Sequence, residues 1–416
     1  MTYVEFFDKP PSENICACLT GTPDRVIFLG DNRKQMLKNI ENYSRIFEER
    51  GYNIEFLFKT VTKSNLDLAV STISEIVETF EDCVFDITGG EEILLLALGI
   101  VCERYKDKNI QIHRINLRNG TVNDCDKDGN TIYKTPIALS VEENVRIFGG
   151  DVVCGEVDDE HTYKWDLTPD FLKDVELIWG ICKQDVRAWN TQLGVFMAIE
   201  KCGSTSEDGL TTVVSREAIE DWLRKHDGVV VRKPEIINAL ITSGLLSTYN
   251  DKDRNTITIS YKNKQVKKCL SKAGQALEMK IFVTAKGLLD EDDKPVYNDV
   301  VNGVEIDWDG KLRDDSDRQA FNTENEIDVM MMRGVVPVFV SCKNGHIDVE
   351  ELYKLNTVAE RFGGEYAKKV LVSNAIDSMG LKGKQFAQRA ADMGIKIIKN
   401  VQDLSDAELA KELKNL

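Results

Sequence analysis

The sequence predicts an α/β fold made of more than one domain. Strand-like apolar runs alternate with helical patterns between residues 14 and 116, which is typical of a doubly wound, mostly parallel sheet. A second group of elements follows Ala273 in the order helix, three strands, helix, strand. At 416 residues the chain is too long for one hydrophobic core, so we expect two or three domains.

Composition limits the classes of function. The hydrophobic fraction of 42% and the charged fraction of 30% are those of an ordinary globular protein. The net charge of −17 argues against a protein that coats nucleic acid by neutralising its phosphates. It leaves room for an enzyme that meets phosphates through metal ions and a local group of lysines.

Cysteine usage and the lengths of the apolar runs predict a cytoplasmic protein without a membrane partner. The longest apolar run, Ile93 to Cys102, is too short to span a bilayer and predicts a buried helix. Nothing near the N-terminus resembles a signal peptide. Ten cysteines without a CxxC pair, and only four histidines, argue against a disulfide scaffold or a structural zinc site and fit a reducing compartment.

The first third of the chain contains the predicted parallel sheet. Strands are predicted over Ile15–Leu19, Arg25–Leu29, Ile54–Phe58, Cys83–Ile87 and Ile110–Leu117. Helices are predicted over Arg33–Arg50, Leu66–Phe80 and Glu91–Tyr105. The spacing of Cys16 and Cys18 places them on alternate sides of the first predicted strand. In such sheets, ligands bind beyond the carboxyl ends of the strands.

Two predicted strands are followed by loops suited to a ligand. The first loop is Leu19-Thr20-Gly21-Thr22, and the second is Thr88-Gly89-Gly90-Glu91. The paired glycines let backbone N–H groups approach an anion at a helix N-terminus, while the acidic Glu91 suits nucleoside hydroxyl or amine groups. The chain has no GxGxxG motif and no Walker lysine. A plain strand-to-helix turn remains the alternative.

The arrangement of CLTG after one predicted strand and DITGGEE after a later one resembles the CRISPR-associated Rossmann fold, or CARF, domain. The corresponding predicted domain spans residues 1–148. The resemblance implies that the two loops of each subunit form a pocket across a two-fold axis in a homodimer. It also implies that this pocket binds a cyclic oligoadenylate.

Residues 149–265 are predicted to form a linker and a winged-helix-like unit. An acidic, irregular stretch ends near Pro169, and one long helical region follows over Phe171–Lys201. Helices over Ser215–His226 and Pro234–Ser243 precede a hairpin of Leu245–Tyr249 and Thr256–Tyr261. The second of these helices contains no lysine or arginine, which favours a spacer or dimerising unit over a reader of DNA sequence.

A run of lysines connects this unit to the last predicted domain, residues 266–416. The pattern fits a solvated surface or a track for substrate equally well, and its members are Lys262, Lys264, Lys267, Lys268 and Lys272. A helix is predicted over Ala273–Leu289, and its residue Glu278 either faces inward or lies on the surface. The later elements are predicted at Val304–Trp308, Asn325–Asn344, Val349–Phe362, Lys369–Ser373, Gln385–Met393 and Ile395–Ile398.

Asn325–Asn344 is a predicted hairpin whose turn is Arg333-Gly334. Strand alternation places Glu326 and Asp328 on one face, opposite Ile327 and Val329. In the second strand it separates Val338, Val340 and Cys342 from Phe339, Ser341 and Lys343. Two carboxylates near a lysine at the end of an apolar hairpin predict a metal site, because charges are seldom buried without a partner. A structural ion pair between Asp328 and Lys343 is the alternative.

The element order of this domain resembles the PD-(D/E)xK nucleases, whose fold is restriction-endonuclease-like. Asp328, Lys343 and Glu278 match the family's acid, lysine and first-helix glutamate. Ser341 departs from the pattern, because the family has a carboxylate there and a hydroxyl is a weaker ligand for a hard cation. The resemblance implies that Glu326 or Glu278 supplies the missing charge. It also implies that the backbone carbonyl of Cys342 completes a site for Mn²⁺ or Mg²⁺.

Together the two resemblances cover nearly the whole chain. A chain that combines these two domains resembles the CRISPR ancillary nucleases. They imply a homodimer, activated by cyclic tetra-adenylate in type III CRISPR antiviral defence, that cleaves DNA or RNA with a divalent metal. The alternative is a cyclic-oligoadenylate-responsive transcription regulator with a degenerate nuclease domain. Ser341 favours this alternative, whereas Asp328 and Lys343 argue against it.

Overall fold

The computed structural model describes all of the chain except residues 8–10, 22, 63, 117–119, 126–129, 154–162, 227–231, 254, 309, 311–323 and 346. Within the described residues it contains three β-sheets of seven, four and six strands. No helix among the described residues is both long enough and apolar enough to cross a membrane.

The seven-stranded sheet occupies the first third of the chain. Its strands are β1 (Thr2–Phe6), β2 (Arg25–Gly30), β3 (Glu55–Thr60), β4 (Asp82–Asp86), β5 (Asn109–Asn116), β6 (Thr121–Cys125) and β7 (Thr131–Pro136). They lie in the order β3-β2-β1-β4-β5-β6-β7. The first five in this order are parallel, and the last two are antiparallel additions. The predicted parallel sheet is confirmed.

Helices cover both faces of this sheet, as the alternation of elements predicts. They are α1 (Arg33–Glu49), α2 (Leu66–Thr79), α3 (Glu92–Arg104) and α4 (Val141–Ile147). Side chains of Asn32 and Asn65 accept the N–H groups that open α1 and α2, and Ser140 forms a capping box at α4. On one face Val4 and Phe6 pack beneath α2 and α3; on the other Tyr3 lies with the residues of α1 and α4.

The strand predicted over Ile15–Leu19 is wrong. These residues lie in and between two short 3-10 helices, Pro11–Asn14 and Ala17–Thr20. Cys16 and Cys18 are both buried there, instead of alternating across a strand. The first strand is Thr2–Phe6, which is buried along its whole length in the middle of the sheet. An apolar run of five residues does not distinguish a strand from a buried helical turn, because either conformation buries it.

The middle of the chain forms the predicted winged-helix-like unit. After β8 (Asp151–Val152), the unit contains α5 (Pro169–Cys182), α6 (Val186–Cys202), β9 (Ser204–Thr205), β10 (Thr211–Ser215), α7 (Arg216–Lys225), α8 (Pro234–Thr242), β11 (Leu246–Asn250), β12 (Thr256–Tyr261) and α9 (Lys264–Ser271). The β11–β12 hairpin pairs with β10 in a four-stranded antiparallel sheet, which extends the predicted two-stranded wing.

The helical region predicted over Phe171–Lys201 consists of two helices, α5 and α6. The side chain of Asp185 caps α6, which begins at Val186, by accepting the N–H of Ala188 at 2.9 Å. One prediction for this region is wrong. The predicted linker begins with strand β8, which pairs with Ile306 and Asp307 of the C-terminal sheet. The chain therefore enters the third sheet before it forms the winged-helix-like unit.

The six-stranded sheet contains the hairpin that the sequence singles out. Its elements are α10 (Gln275–Lys286), β13 (Asp299–Asp307), β14 (Glu324–Arg333), β15 (Val336–Lys343), α11 (Glu350–Gly363), β16 (Lys368–Ser373), α12 (Leu381–Asp392), β17 (Ile395–Lys399) and α13 (Asp406–Lys414). The strand order is β17-β16-β15-β14-β13-β8. The predicted order of helix, three strands, helix and strand is confirmed.

The N-terminal and C-terminal sheets share one hydrophobic core. Residues of β1, β2, α1 and α4 pack in the same buried cluster as residues of β14, β15 and α11. The turn between β14 and β15 lies against the first sheet, where the N–H of Leu139 donates to the carbonyl of Gly334 at 3.0 Å. A side chain at Gly334 would lie 3.0 Å from Cα of Gly120, so the two turns meet backbone to backbone.

Candidate active site

The site is built at the end of the β14–β15 hairpin where the two strands separate. Their pairing runs from Arg333–Val336 to Val329–Val340 and stops before Asp328. There the carboxylate of Asp328 accepts the backbone N–H of Cys342 at 2.5 Å and the hydroxyl of Ser341 at 3.3 Å. The side chain of Asp328 thus accepts the N–H of Cys342 in place of a backbone carbonyl of β14, and β14 and β15 separate at this position.

This opening changes the alternation predicted for β14. Ile327 packs in the same cluster as Met330, whereas Val329 packs on the other face of the sheet. The prediction that Ile327 and Val329 share a face is therefore wrong, because β14 turns away from β15 at Asp328. The alternation predicted for β15 is confirmed, since Phe339 lies in a different cluster from Val338, Val340 and Cys342.

Glu278 faces inward from the first turn of α10 and is only 4% exposed. Its Oε2 has no hydrogen-bond partner among the described residues. Gly274, which precedes α10 with φ +81°, allows this approach, because a Cβ there would lie 2.9 Å from Oε1 of Glu278. Burial, and then the charge of Asp328, raise the pKa of Glu278 to about 8. Glu278 is therefore a buried carboxyl next to a second acid.

The groups around Asp328 shift its pKa in both directions. Burial raises its pKa, while the ammonium of Lys343 and the N–H of Cys342 oppose that rise without cancelling it. Two carboxyls with raised pKa values, one of them with an unpartnered oxygen, are the condition that a bound cation would relieve. No three His, Cys, Asp or Glu side chains within the described ranges already surround a common metal position. The acids present fit a cation if Glu278 and Asp328 are completed by backbone oxygen.

Glu326 lies beside these acids but is turned toward a lysine. It is exposed and forms an ion pair with Lys272, the residue that follows α9. Burial opposes the charge of Lys272, but Glu278 and Glu326 outweigh it and raise the pKa of this lysine. Lys272 belongs to the lysine run noted in the sequence, and the fold places it at the site.

Lys343 is bound by an acid that the sequence did not single out. Its Nζ lies 2.9 Å from Oε2 of Glu351, at the start of α11, and Lys354 binds the same carboxylate. Asp328 and Lys343, both in the described part of the chain, do not form the direct ion pair of the predicted alternative, although their charges interact. Asp328 and Glu351 raise the pKa of Lys343 against the effect of burial. Its ammonium is therefore stabilised as a cation.

Cys342 contributes its backbone and not its thiol. Burial, and then the charge of Asp328, raise the thiol pKa well above its usual range, so the thiol stays neutral. Its N–H points at Asp328. In an extended strand the N–H and the C=O of one residue point to the same side, so this carbonyl also faces the opening. This geometry supports the predicted use of the carbonyl.

Asn302 of β13 forms hydrogen bonds with several of these elements, and the sequence did not single it out. Its side chain is 3% exposed and donates to the backbone carbonyl of Asp328 at 2.9 Å. Its amide oxygen accepts hydrogen bonds from Gln275 and Trp165, each at 3.0 Å. A single asparagine in a strand carries no sequence pattern, so only the register of β13 against β14 shows its role.

A second asparagine group connects the winged-helix-like unit to the end of β15. Asn344, directly after Lys343, donates to Asn190 of α6 at 3.1 Å and accepts from Asn374 at 2.6 Å. A cavity of about 500 Å³ lies between α6 and this loop and is lined by Glu278, Asp328 and Lys343. The three residues that the sequence matched to one motif therefore line one accessible space.

The N-terminal sheet offers a separate candidate site at its switch in strand order. The order reverses between β1 and β4, and Thr88, Gly89, Gly90 and Glu91 follow the carboxyl end of β4. Thr88 is held by Asp86, which accepts its N–H at 2.8 Å and its hydroxyl at 2.5 Å. Gly90 has φ +96° and lies against Phe6, so no larger residue fits there.

The structure does not place the other predicted ligand loop at this position. Leu19 and Thr20 end a 3-10 helix, Gly21 lies against the hydroxyl of Tyr3, and Thr22 is outside the described residues. Tyr3 and Phe6 belong to opposite faces of the sheet, so Gly21 and Gly90 do not face one another. Residues 8–10, which follow β1 in the sequence, are also outside the described part.

The two sheets and the unit between them define the class of fold: a Rossmann-like α/β domain, joined through a winged-helix-like unit to a second α/β domain with a six-stranded sheet. Two solved structures share this arrangement along the entire chain. Protein VC1899 from Vibrio cholerae matches with a TM-score of 0.70 at 18% identity, over 100% of this chain and 97% of that one. Can2 from Sulfobacillus thermosulfidooxidans, solved with cyclic tetra-adenylate, matches with a TM-score of 0.63 at 16% identity, over 99% and 97%.

These likenesses confirm the predicted fold class and the predicted resemblance at the level of fold. No protein-family model matches the chain, and no curated protein matches it significantly. The chemistry of the site therefore has to be argued from the residues themselves.

Proposed function

We propose that the chain is a nuclease that hydrolyses DNA or RNA phosphodiester bonds with a divalent metal, and that a cyclic oligoadenylate activates it in type III CRISPR antiviral defence. One observation carries the proposal: Glu278, Asp328 and Lys343 converge at the opened end of a hairpin. This occurs in a chain that shares the fold of Can2, whose structure contains cyclic tetra-adenylate. Both the acids and the lysine are the types that phosphodiester hydrolysis requires.

Asp328, Glu278 and the carbonyl of Cys342 are the groups that would hold Mn²⁺ or Mg²⁺. The unpartnered oxygen of Glu278 supports this assignment, since it is buried without a donor in the described part of the chain. A divalent cation at this position supplies a water of lowered pKa and neutralises charge on a phosphate. Ser341 donates to Asp328 and is a supporting group, so we assign the role of the missing family carboxylate to Glu278.

In this proposal Glu326 is an additional candidate ligand for the metal ion. Its carboxylate is paired with Lys272, and that pair has to open before Glu326 reaches toward Asp328. The role of Lys343 is to orient water and to stabilise negative charge that develops on the phosphate. Glu351 keeps the Lys343 ammonium charged and limits its motion.

The activator is proposed to bind beyond β4, at Thr88, Gly89, Gly90 and Glu91. Thr88 fixes the loop by donating to Asp86 and by accepting the N–H of Ile115 at 2.6 Å. We leave Leu19, Thr20 and Gly21 out of this site because they pack on the other face of the sheet. Cyclic tetra-adenylate is the ligand that we would test first, because Can2 was solved with it.

A homodimer belongs to the proposal, and α3 is the surface that supports it. The sequence predicts that the apolar run of this helix is buried, but Leu95 and Leu96 are 36% and 56% exposed. That prediction is wrong for this side of α3. An apolar helix face next to the ligand loop suits contact with a second copy of the chain. Activation would then be a shift in population toward the dimer form that places the nuclease sites correctly.

The experiment combines the protein with Mn²⁺, cyclic tetra-adenylate, and labelled single-stranded DNA, single-stranded RNA and plasmid DNA. We expect cleavage that depends on both metal and activator, and a loss of about a hundredfold or more in Asp328→Ala and in Lys343→Ala. Undiminished cleavage in both variants would overturn the assignment of the site.

The same experiment tests the regulator that the sequence left open. Specific binding to duplex DNA, with no cleavage by the wild-type protein under any of these conditions, would favour that alternative. The composition of α8 opposes it, because Pro234–Thr242 contains no lysine or arginine to contact DNA.

A further inference from the structure

A basic groove runs along the winged-helix-like unit and ends beside the acids. It has a volume of about 800 Å³ and lies between α9, the turn after β9 and residues 163–165. At one end it is lined by Gln275, Asn302 and Glu326. Lys272 and Glu326 line both this groove and the cavity that contains Asp328, so the groove and the candidate active site are continuous.

The lysines of α9 give the groove its charge. Lys264 and Lys268 are four residues apart on one side of α9, and Lys272, directly after this helix, lines the same groove. Lys272 is paired with Glu326, but Lys264 is exposed and no described carboxylate pairs with it. A local group of cations stands out in a chain whose net charge is −17. A phosphate backbone is the ligand that this spacing of ammonium groups fits.

Aromatic side chains line the same groove. Tyr163 is half-buried, with the Lys268 ammonium 4.6 Å from the centre of its ring. Trp165 meets Tyr163 edge to face at 4.8 Å and stacks on Phe171 at 5.5 Å, so the aromatic group is rigid. Lysines interleaved with aromatic rings are the combination that holds single nucleic-acid strands, because unpaired bases expose their faces for stacking. A duplex keeps its bases stacked internally and gains nothing from the rings.

Hydrogen bonds connect the groove to the acid-bearing strand. The indole N–H of Trp165 donates to Asn302, and Asn302 donates to the backbone carbonyl of Asp328. The floor of the groove and the position of Asp328 are therefore set by one side chain. A single nucleic-acid strand that lies along α9 would pass directly to Asp328.

We propose that this groove binds a single strand of DNA or RNA, with phosphates at Lys264 and Lys268 and a base at Tyr163, and leads it to Asp328. The inference names the substrate-binding surface of the nuclease proposed above and so rests on that function. It favours a substrate track for Lys264 and Lys268 of the lysine run, whereas Lys262 pairs with Asp174 and Lys267 pairs with Glu200.

The test measures binding by the metal-free full-length protein, so that cleavage does not enter. Fluorescence anisotropy with labelled oligo(dT) and oligo(U), in EDTA, compares wild type with Lys264→Glu/Lys268→Glu. We expect a rise of at least tenfold in Kd, and a salt dependence of log Kd that is shallower by about 1.4, since each lost phosphate contact removes about 0.7. Tyr163→Ala should weaken binding about tenfold without changing the salt dependence.

Lys382→Glu/Lys384→Glu is the matched control. Both lysines are exposed on α12, whose buried residues pack against the other face of the sheet. This double variant should bind as wild type does, and circular dichroism should show that both double variants are folded. Equal weakening by the two double variants would mean a diffuse charge effect and would overturn the proposal. So would unchanged binding by Lys264→Glu/Lys268→Glu, or a preference for duplex over single strands.

The outcomes separate this inference from the proposed nuclease. If the groove variants bind normally but Asp328→Ala abolishes cleavage, the groove assignment fails and the nuclease stands. If the groove variants lose single-strand binding but wild type never cleaves, the groove stands and the nuclease fails.

Discussion

The carboxyl of Glu278 is the residue whose environment is most unusual for its type. It is 4% exposed, one of its oxygens has no described partner, and Asp328 lies close enough to raise its pKa further. The charge of Lys272 and a hydrogen bond with Asn302 favour the ionised Glu278, but they do not offset the effects of burial and of Asp328. In the proposed nuclease, a bound cation supplies the remaining stabilisation of this carboxylate.

The raised pKa of Glu278 predicts how stability depends on pH in the absence of metal. The folded-state pKa of about 8 lies above the ordinary value, so folding is favoured by protonation. This stabilisation is present below the ordinary pKa and is lost as pH rises through about 8. Glu278→Gln avoids the loss, and in EDTA we expect it to be more stable than wild type by on the order of 1–3 kcal/mol at pH 9 but not at pH 4.

Thermal unfolding in EDTA at the two pH values measures this difference. Glu220→Gln, at an exposed position on α7, is the control and should change the melting temperature little at either pH. If Glu278→Gln were less stable than wild type at pH 9, the carboxylate would have a stabilising partner and the proposed cation site would lose its main support. Added Mn²⁺ should raise the melting temperature of wild type more than that of Glu278→Gln.

At the scale of elements, the β14–β15 hairpin connects the candidate active site to the N-terminal sheet. Its opened end holds Asp328, and its turn packs on the N-terminal sheet through Gly334 and Leu139. Asn298 reinforces this contact, since it accepts the N–H of Gly334 at 2.7 Å and donates to the carbonyl of Leu139 at 2.7 Å. One pair of strands therefore spans from the N-terminal sheet to the acids.

This contact predicts a variant that uncouples activator from cleavage. A side chain at Gly334, where φ is +64°, would press on Gly120 at 3.0 Å. We expect Gly334→Val to reduce stability by about 1–3 kcal/mol and to reduce stimulation by cyclic tetra-adenylate several-fold, while basal cleavage changes less. Cleavage rates with and without activator measure the ratio. Stimulation equal to that of wild type would show that the signal takes another route.

Gly303 is a suitable control, because it has φ +61° but no backbone atom within 4 Å of its would-be Cβ. Gly303→Ala should cost backbone strain of a similar kind without touching the contact between the sheets. A loss of stimulation in Gly303→Ala as large as in Gly334→Val would attribute the effect to destabilisation alone.

At the scale of the whole molecule, the exposed side of α3 predicts assembly. Leu96 is 56% exposed in an apolar helix beside the proposed activator loop. We expect Leu96→Glu to convert a dimer into a monomer and to remove the response to activator, because a charge does not enter an apolar interface without a partner. Light scattering after size exclusion measures the mass of each variant.

Leu381→Glu is the matched control, since Leu381 is 73% exposed at the start of α12 on the C-terminal domain. It should leave the mass and the activator response unchanged. A monomeric wild type, both with and without activator, would contradict the proposed homodimer.

The N-terminal sheet shows what local pattern can and cannot establish. The strands at Arg25–Gly30 and Asp82–Asp86 were predictable because each is a buried apolar run bounded by turns. Thr2–Phe6 was missed and Ile15–Leu19 was assigned wrongly, since both are short apolar runs and only pairing identifies the strand. As a result, Leu19, Thr20 and Gly21 were predicted to follow a strand of the sheet, whereas they lie at the end of a 3-10 helix.

The candidate active site shows the same division. The hairpin could be predicted, and Asp328 and Lys343 singled out, from the amino-acid sequence, because strand alternation and motif spacing are local properties. Only the tertiary structure brought in Glu351, Asn302 and Lys272, which come from different elements and follow no shared spacing. It also decided between a buried and an exposed Glu278, because the side that a helix buries depends on the surface against which it packs.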